Sequence, residues 1–241
     1  SATAVVLADR SGWILHVQGE EGLLARLAAL HLAAGYCWSE PVMGSNAIGT
    51  ALVDKQVVEV AGNGHFLHRH ARLTSVAVPL LGGQAGVLAL IWEAPLVRLH
   101  ARALMEMAAA QLETELIDGM DGAAAILRVQ PALEPGPSPW GGLLALAGDG
   151  RVLAASSRAA AVLDMPDPVG RSFRQCFAGS WATLLERAGR NPEADLPVTT
   201  RTGQPCQVRI RLRGAPRVPP TTCRGFADLG QGDGRVADAI R

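Results

Sequence analysis

Residues 38–80 read WSEPVMGSNAIGTALVDKQVVEVAGNGHFLHRHARLTSVAVPL, and the fold is decided by how this stretch is placed. Gly44 and Gly49 permit tight turns and close approach of backbone, and a short helix is expected from about Asn46 to Leu52. Asn46 and Thr50 lie about one helical turn apart, so both polar groups face one side. They could aim into a cavity, or cap and close a loop over the core, the commonest use of such side chains. A strand is expected at Val57–Val60. Further strands at Ser75–Leu81 and Gly86–Trp92 are separated by Gly82-Gly83, which reads as a hairpin at the centre of an antiparallel sheet.

Toward the N-terminus, Ala4–Leu7 and Trp13–Val17 flank the turn residues Asp9-Arg10-Ser11-Gly12, a strand pair. A helix is expected over Glu21–Ala33, with Leu23, Leu24, Leu27 and Leu30 at helical spacing. Beyond the hairpin, Pro95–Leu116 reads as the strongest helix. Val97, Ala101, Leu104, Ala108, Leu112 and Leu116 form its apolar stripe, while Arg98, Arg102, Glu106 and Glu113 lie largely elsewhere. That stripe is expected to pack on its own sheet and to pair with a second copy.

Residues 118–139 break the composition and end in prolines at 135, 137 and 139, so a Pro/Gly-rich linker is expected there. The strand–turn–strand opening then recurs at Leu143–Ala147 and Arg151–Ala155. Ser156 is the expected cap of a helix over Ser157–Leu163, and a second helix is expected over Trp181–Ala188. Strands follow at Leu196–Thr200 and Pro205–Arg213. In the last of these Val208, Ile210 and Leu212 alternate with Arg209, Arg211 and Arg213, read as the solvated face of an edge strand. The expected class is α+β, with two tandem antiparallel-sheet domains at 1–117 and 140–213, and a flexible tail at 214–241.

Apolar content of 49% with 18% charge describes a folded globular protein. Lys+Arg and Asp+Glu number 22 each, so no net field draws the chain to nucleic acid or an anionic membrane. Cys37, Cys176, Cys206 and Cys223 are scattered, which suits a reducing cytoplasm. No apolar run reaches the roughly 20 residues that span a bilayer. No G-x-S-x-G, Walker A or H-E-x-x-H motif is present, and the chain is expected not to be an enzyme. Cys37 is the best nucleophile candidate but has no resolving partner nearby in sequence. His65, His68 and His70 lack a neighbouring Cys or carboxylate to complete a metal site. His65 is expected to be structural or ligand-facing, with His68 and His70 solvated. No metal and no cofactor are expected.

Trp38, Glu40, Gly44, Asn46, Ile48, Gly49, Thr50, Ala51 and Leu52, then His65, Phe66 and Pro79, are spaced as in a known family. They resemble the N-terminal GAF-type domain of sigma-54-dependent transcription activators of the acetoin-catabolism-regulator type. Asp149-Gly150, Ser156-Ser157 and Val169–Phe173 resemble a PAS domain more loosely. The resemblance implies a GAF-like domain followed by a PAS-like one, the cytoplasmic sensory region of a bacterial activator. It implies a small organic effector in a pocket built from Trp38, Met43, Asn46, Thr50, His65, Phe66 and Trp92. It also implies a homodimer. Contacts to DNA and to the sigma-54 RNA polymerase are left to an AAA+ ATPase and a helix-turn-helix expected beyond Arg241, and the segment usual before this domain does not precede Ser1. The family's Thr-Cys-Ser is replaced here by Leu73-Thr74-Ser75-Val76, so the effector need not be an acetoin-like diol. The alternatives are a module that senses a partner protein and a Cys37-dependent reductase.

Overall fold

In Thr3–Ala8 (β1) every second side chain, Ala4, Val6 and Ala8, is buried, the period of a strand with one covered face. It pairs with Ile14–Gly19 (β2) around the expected turn, where the Asp9 carboxylate accepts from the amides of Ser11 and Trp13. A computed structural model describes residues 2–93, 100–132 and 141–213. Val58–Ala61 (β3), Leu73–Leu80 (β4) and Gly86–Glu93 (β5) complete an antiparallel sheet of order β2-β1-β5-β4-β3. Every residue of β4 is buried, because this sheet is covered on both faces.

One face carries Glu21–Ala29 (α1), Glu40–Met43 (α2) and Ala47–Asp54 (α3), packed through Leu23, Leu27, Trp38, Ile48, Leu73 and Ile91. The other carries Ala101–Asp118 (α4), which lies on Val76, Val78, Leu88 and Trp92. The buried side of α4 differs from the expected stripe. Ala101, Met105, Ala109, Glu113 and Ile117 face inward at i+4 spacing, whereas Leu104, Leu112 and Leu116 are exposed. Small residues let the helix approach the sheet closely, so Ala and Met won the inner face over the leucines. The start of the expected helix, residues 95–99, lies outside the described residues.

The second sheet contains Ala125–Pro131 (β6), Gly142–Leu146 (β7), Val152–Ala155 (β8), Phe177–Ala178 (β9), Leu196–Thr200 (β10) and Pro205–Leu212 (β11). It is antiparallel throughout, in the order β8-β7-β6-β11-β10-β9. Ser157–Val162 (α5), Phe173–Cys176 (α6) and Trp181–Arg190 (α7) cover one face around Leu127, Leu144, Phe177 and Val208. Ser156 caps α5 by accepting from the Ala159 amide.

Two expectations are corrected here. The segment 118–139 is not all linker, because β6 is a central strand with β7 on one side and β11 on the other. Ala125, Leu127 and Val129 alternate inward, a period masked by the prolines that follow. Those prolines, within residues 133–140, lie outside the described residues, as does the tail at 214–241. Nor is β11 an edge strand. Its outward Arg209 makes two hydrogen bonds of 3.0 Å to the Asp195 carboxylate, and Arg211 pairs with Asp118 at the end of α4.

The two sheets meet through a cluster of Leu81, Ile117, Ala123, Ile126, Leu143, Ala145 and Ala154. It joins the end of β4 and the end of α4 to the outer face of the second sheet. Among the described residues no helix is long and apolar enough to cross a membrane.

Candidate functional site

The Trp38–Leu52 segment is held as a clasp over the first sheet. Asn46 is 1% exposed and stands at the N-cap of α3, where its side-chain oxygen accepts from the Gly49 amide at 2.9 Å. Its NH2 group donates to the carbonyls of Trp38 at 3.0 Å and Gly44 at 2.8 Å. One amide thus ties the segment before α2, the turn after it and the start of α3. Thr50 donates to the Glu40 carboxylate, closing α3 onto α2. A Cβ on Gly49 would stand 2.7 Å from the Glu40 nitrogen and 2.9 Å from the Trp38 carbonyl, so only glycine allows the two helices this approach. Gly44 has φ of 68°, and a Cβ there would enter the Phe66 ring at 2.3 Å.

The clasp sets Trp38 on the sheet. Its indole Nε1 donates to the His31 carbonyl at 2.7 Å, and its ring stacks on His70 at 4.8 Å. His70 in turn meets His65 edge-on at 6.2 Å. His70 is 1% exposed, which corrects the expectation that it is solvated; the single 3₁₀ turn at His68–His70 folds it back under Trp38. Its Nε2 lies 3.3 Å from the Leu30 carbonyl and so carries the proton. His65 has Nδ1 3.1 Å from the Gly62 carbonyl and Nε2 3.4 Å from the Ser75 hydroxyl. The carbonyl requires a proton on Nδ1, which leaves Nε2 to accept from Ser75. Burial lowers both histidines below the ordinary value of 6.5, partly opposed by the backbone carbonyl each one faces. Both rings are therefore neutral at neutral pH.

Of the residues expected to line a pocket, Trp38, Met43, Asn46, Thr50 and His65 come together on this face. Two do not. Trp92 is fully buried on the opposite face, against α4, because its place in β5 gives it the other parity of the strand. Phe66 is 73% exposed, its ring lying outside over Gly44. His70 and Ser75 belong to the cluster and were missed. Ser75 was visible in principle, since it alternates inward with Leu73 and Ala77.

Every buried side-chain nitrogen or oxygen among the described residues has a hydrogen-bond partner. A ligand entering here would displace an internal bond, and the Ser75–His65 pair is the longest of those in the cluster. Among the described residues no three His, Cys, Asp or Glu side chains converge as a metal-binding set. Burial pushes the Cys176 thiol up and the Cys206 thiol up to about 11, so both are protonated at neutral pH and poor nucleophiles. Two open clefts lie elsewhere. One of about 730 Å³ runs between α4 and the start of α5, past Met107 and Ser157. The other, about 590 Å³, lies over Arg128, Arg209 and Arg211 on the outer face of the second sheet.

Residues 1–116 match the family of the GAF domain. The N-terminal half is a GAF domain. The acetoin dehydrogenase operon transcriptional activator AcoR of Bacillus subtilis is 34% identical over 61 residues, 25% of this chain and 10% of that protein. An uncharacterized 47.3 kDa protein in the thcA 5′ region of Rhodococcus erythropolis is 32% identical over 62 residues, 26% of this chain and 14% of that protein. The alignments thus span a small part of either relative. Among solved structures, the E. coli DhaR(N)-DhaL complex aligns over 89% of this chain and 80% of that chain at 16% identity, with a TM-score of 0.45.

Proposed function

We propose that this chain is the cytoplasmic sensory region of a bacterial sigma-54-dependent transcription activator, and that its GAF domain binds a small organic effector. The observation that carries the reading is the neutral His65–Ser75 pair beside the stacked Trp38 and His70, under the clasp. It offers an apolar wall with a few aimed polar groups, the chemistry that recognises a short alcohol, ketone or diol. The similarity to AcoR supports the regulatory context. The second domain is read as PAS-like, on its antiparallel sheet with the helices α5–α7 between the β7–β8 pair and the closing β10–β11 pair, β6 being an added central strand. The ATPase and DNA-binding parts would belong to other segments of a longer protein, and the chain catalyses nothing. Calorimetric titration with short diols, ketones, alcohols and aromatics tests the pocket. Saturable binding that His65→Leu abolishes without unfolding the domain supports it, and silence across the panel removes it.

A second reading rests on Leu104, Met107, Leu112 and Leu116, exposed along α4. Such a row suits a protein partner or a second copy. Leu104→Glu with Leu112→Glu would abolish that association, read by sedimentation, while leaving effector binding intact.

A further inference from the structure

Glu113 lies within α4 and is 3% exposed, the one acid among the buried residues described. A carboxylate taken out of water is destabilising unless hydrogen bonds replace its hydration. Here they do. Its Oε1 accepts from the Leu81 amide at 2.7 Å and from the Ser157 hydroxyl at 2.7 Å. The Ser157 amide donates to both oxygens, at 3.2 and 3.1 Å. Burial pushes the carboxyl up from its ordinary range, and the donors of Ser157 and Leu81 draw it back down.

The donors belong to different domains. Leu81 follows β4 of the GAF sheet and holds a left-handed φ of 50°, a strained conformation for a leucine. Ser157 is the first residue of α5 in the second domain. The start of α5 is bound to its own sheet as well, because the Ser156 hydroxyl accepts from the Leu143 amide of β7 at 2.9 Å. The apolar cluster of Leu81, Ile117, Leu143, Ala145 and Ala154 lies at the same junction, while Ser157 borders the open cleft between α4 and α5. An apolar side chain at 113 would fill the same space yet leave the buried Leu81 amide without its acceptor. The Oε1 atom alone accepts from both Leu81 and Ser157, and Oε2 adds a second contact to the Ser157 amide.

We propose that Glu113 is the coupling element of the molecule: it fastens the β4 end of the GAF sheet to the start of α5, so that a displacement of either is felt by the other. This does not depend on what the GAF domain binds. It predicts reciprocity, because a bond shared through one carboxylate must be felt from both ends.

Hydrogen exchange of individual amides in the 241-residue chain tests it, comparing wild type with Ser157→Ala, Glu113→Gln and the double variant. Ser157→Ala should raise exchange at Leu81, in the other domain, severalfold. Glu113→Gln should raise it by about tenfold, the effect of replacing a charged acceptor with a neutral one. The double variant should match Glu113→Gln alone, since both changes act on one connection. Leu81 exchange unchanged by Ser157→Ala, or two effects that simply multiply, would overturn the proposal. Should Glu113→Gln fail to fold, Ser157→Ala alone decides, because it keeps the carboxylate: faster Leu81 exchange supports the coupling and unchanged exchange overturns it.

Discussion

The two faces of the GAF sheet are built on opposite plans. Under α1–α3, large side chains and polar groups share the space: Trp38 stacks on His70, and Asn46, His65 and Ser75 are buried among leucines. Under α4 the contact is mostly apolar, with alanines and Met105 against valines and Trp92 and Thr74 the buried polar side chain of the strand, and its one buried acid joins Leu81 to the second domain. On the polar face each hydrogen bond fixes a side chain in one orientation, whereas the other face is held mainly by shape. The apolar face can only slide or stay.

The contrast can be broken most forcefully at the tryptophans. Trp38→Ala and Trp92→Ala should each destabilise the GAF domain by about 3–5 kcal/mol in denaturant titration. Only the second should speed amide exchange along Ala101–Ala109, because only Trp92 supports α4. Asn46→Ala should cost about 2–3 kcal/mol, more than an exposed cap, since it also leaves the Trp38 and Gly44 carbonyls without their donor. Gly44→Ala should cost roughly 1–2 kcal/mol for its left-handed φ and its collision with Phe66. Adding Phe66→Ala should recover only a small part of that loss, because it removes the ring but leaves the Phe66 Cβ 2.5 Å from the new methyl.

The gentlest test is pH. The folded-state values of His65 and His70 lie below 6.5, so the unfolded chain binds more protons between the two values. Stability should therefore be full above pH 6.5 and fall as pH drops through the lowered values. The variant His65→Gln with His70→Phe should flatten that slope in thermal melts. An unchanged slope would mean that the polar face is not where the protons enter.

Much of this was legible in the chain. The β4–β5 hairpin, the Asp9–Gly12 turn and the Asn46 and Ser156 caps follow from local chemistry and emerge where it puts them, as does the β11 alternation through Val208 and Ile210, though Leu212 at its end is exposed. What failed was tertiary choice. Leu104, Ala108, Leu112 and Leu116 are the more hydrophobic stripe of α4, yet close packing selected the smaller side chains one turn-face away, and Glu113 came inside with them. No periodicity announces a buried carboxylate, because its partners lie 32 and 44 residues away. His70 was hidden for a similar reason: a single 3₁₀ turn between polar neighbours carries no apolar rhythm. Among the candidate pocket residues, strand parity alone would have separated Trp92 from the rest, since it alternates with Ile91 and faces α4.

The strand β6 bears on how the molecule can be divided. It is joined to α4 by only the few residues from Gly119 to Ala124, yet it lies at the middle of the second sheet, between β7 and β11. A fragment begun at residue 140, where the proline-rich composition invites a cut, would discard the plank on which both neighbouring strands are nailed. One begun at residue 119 would keep the sheet whole but tear it from Glu113.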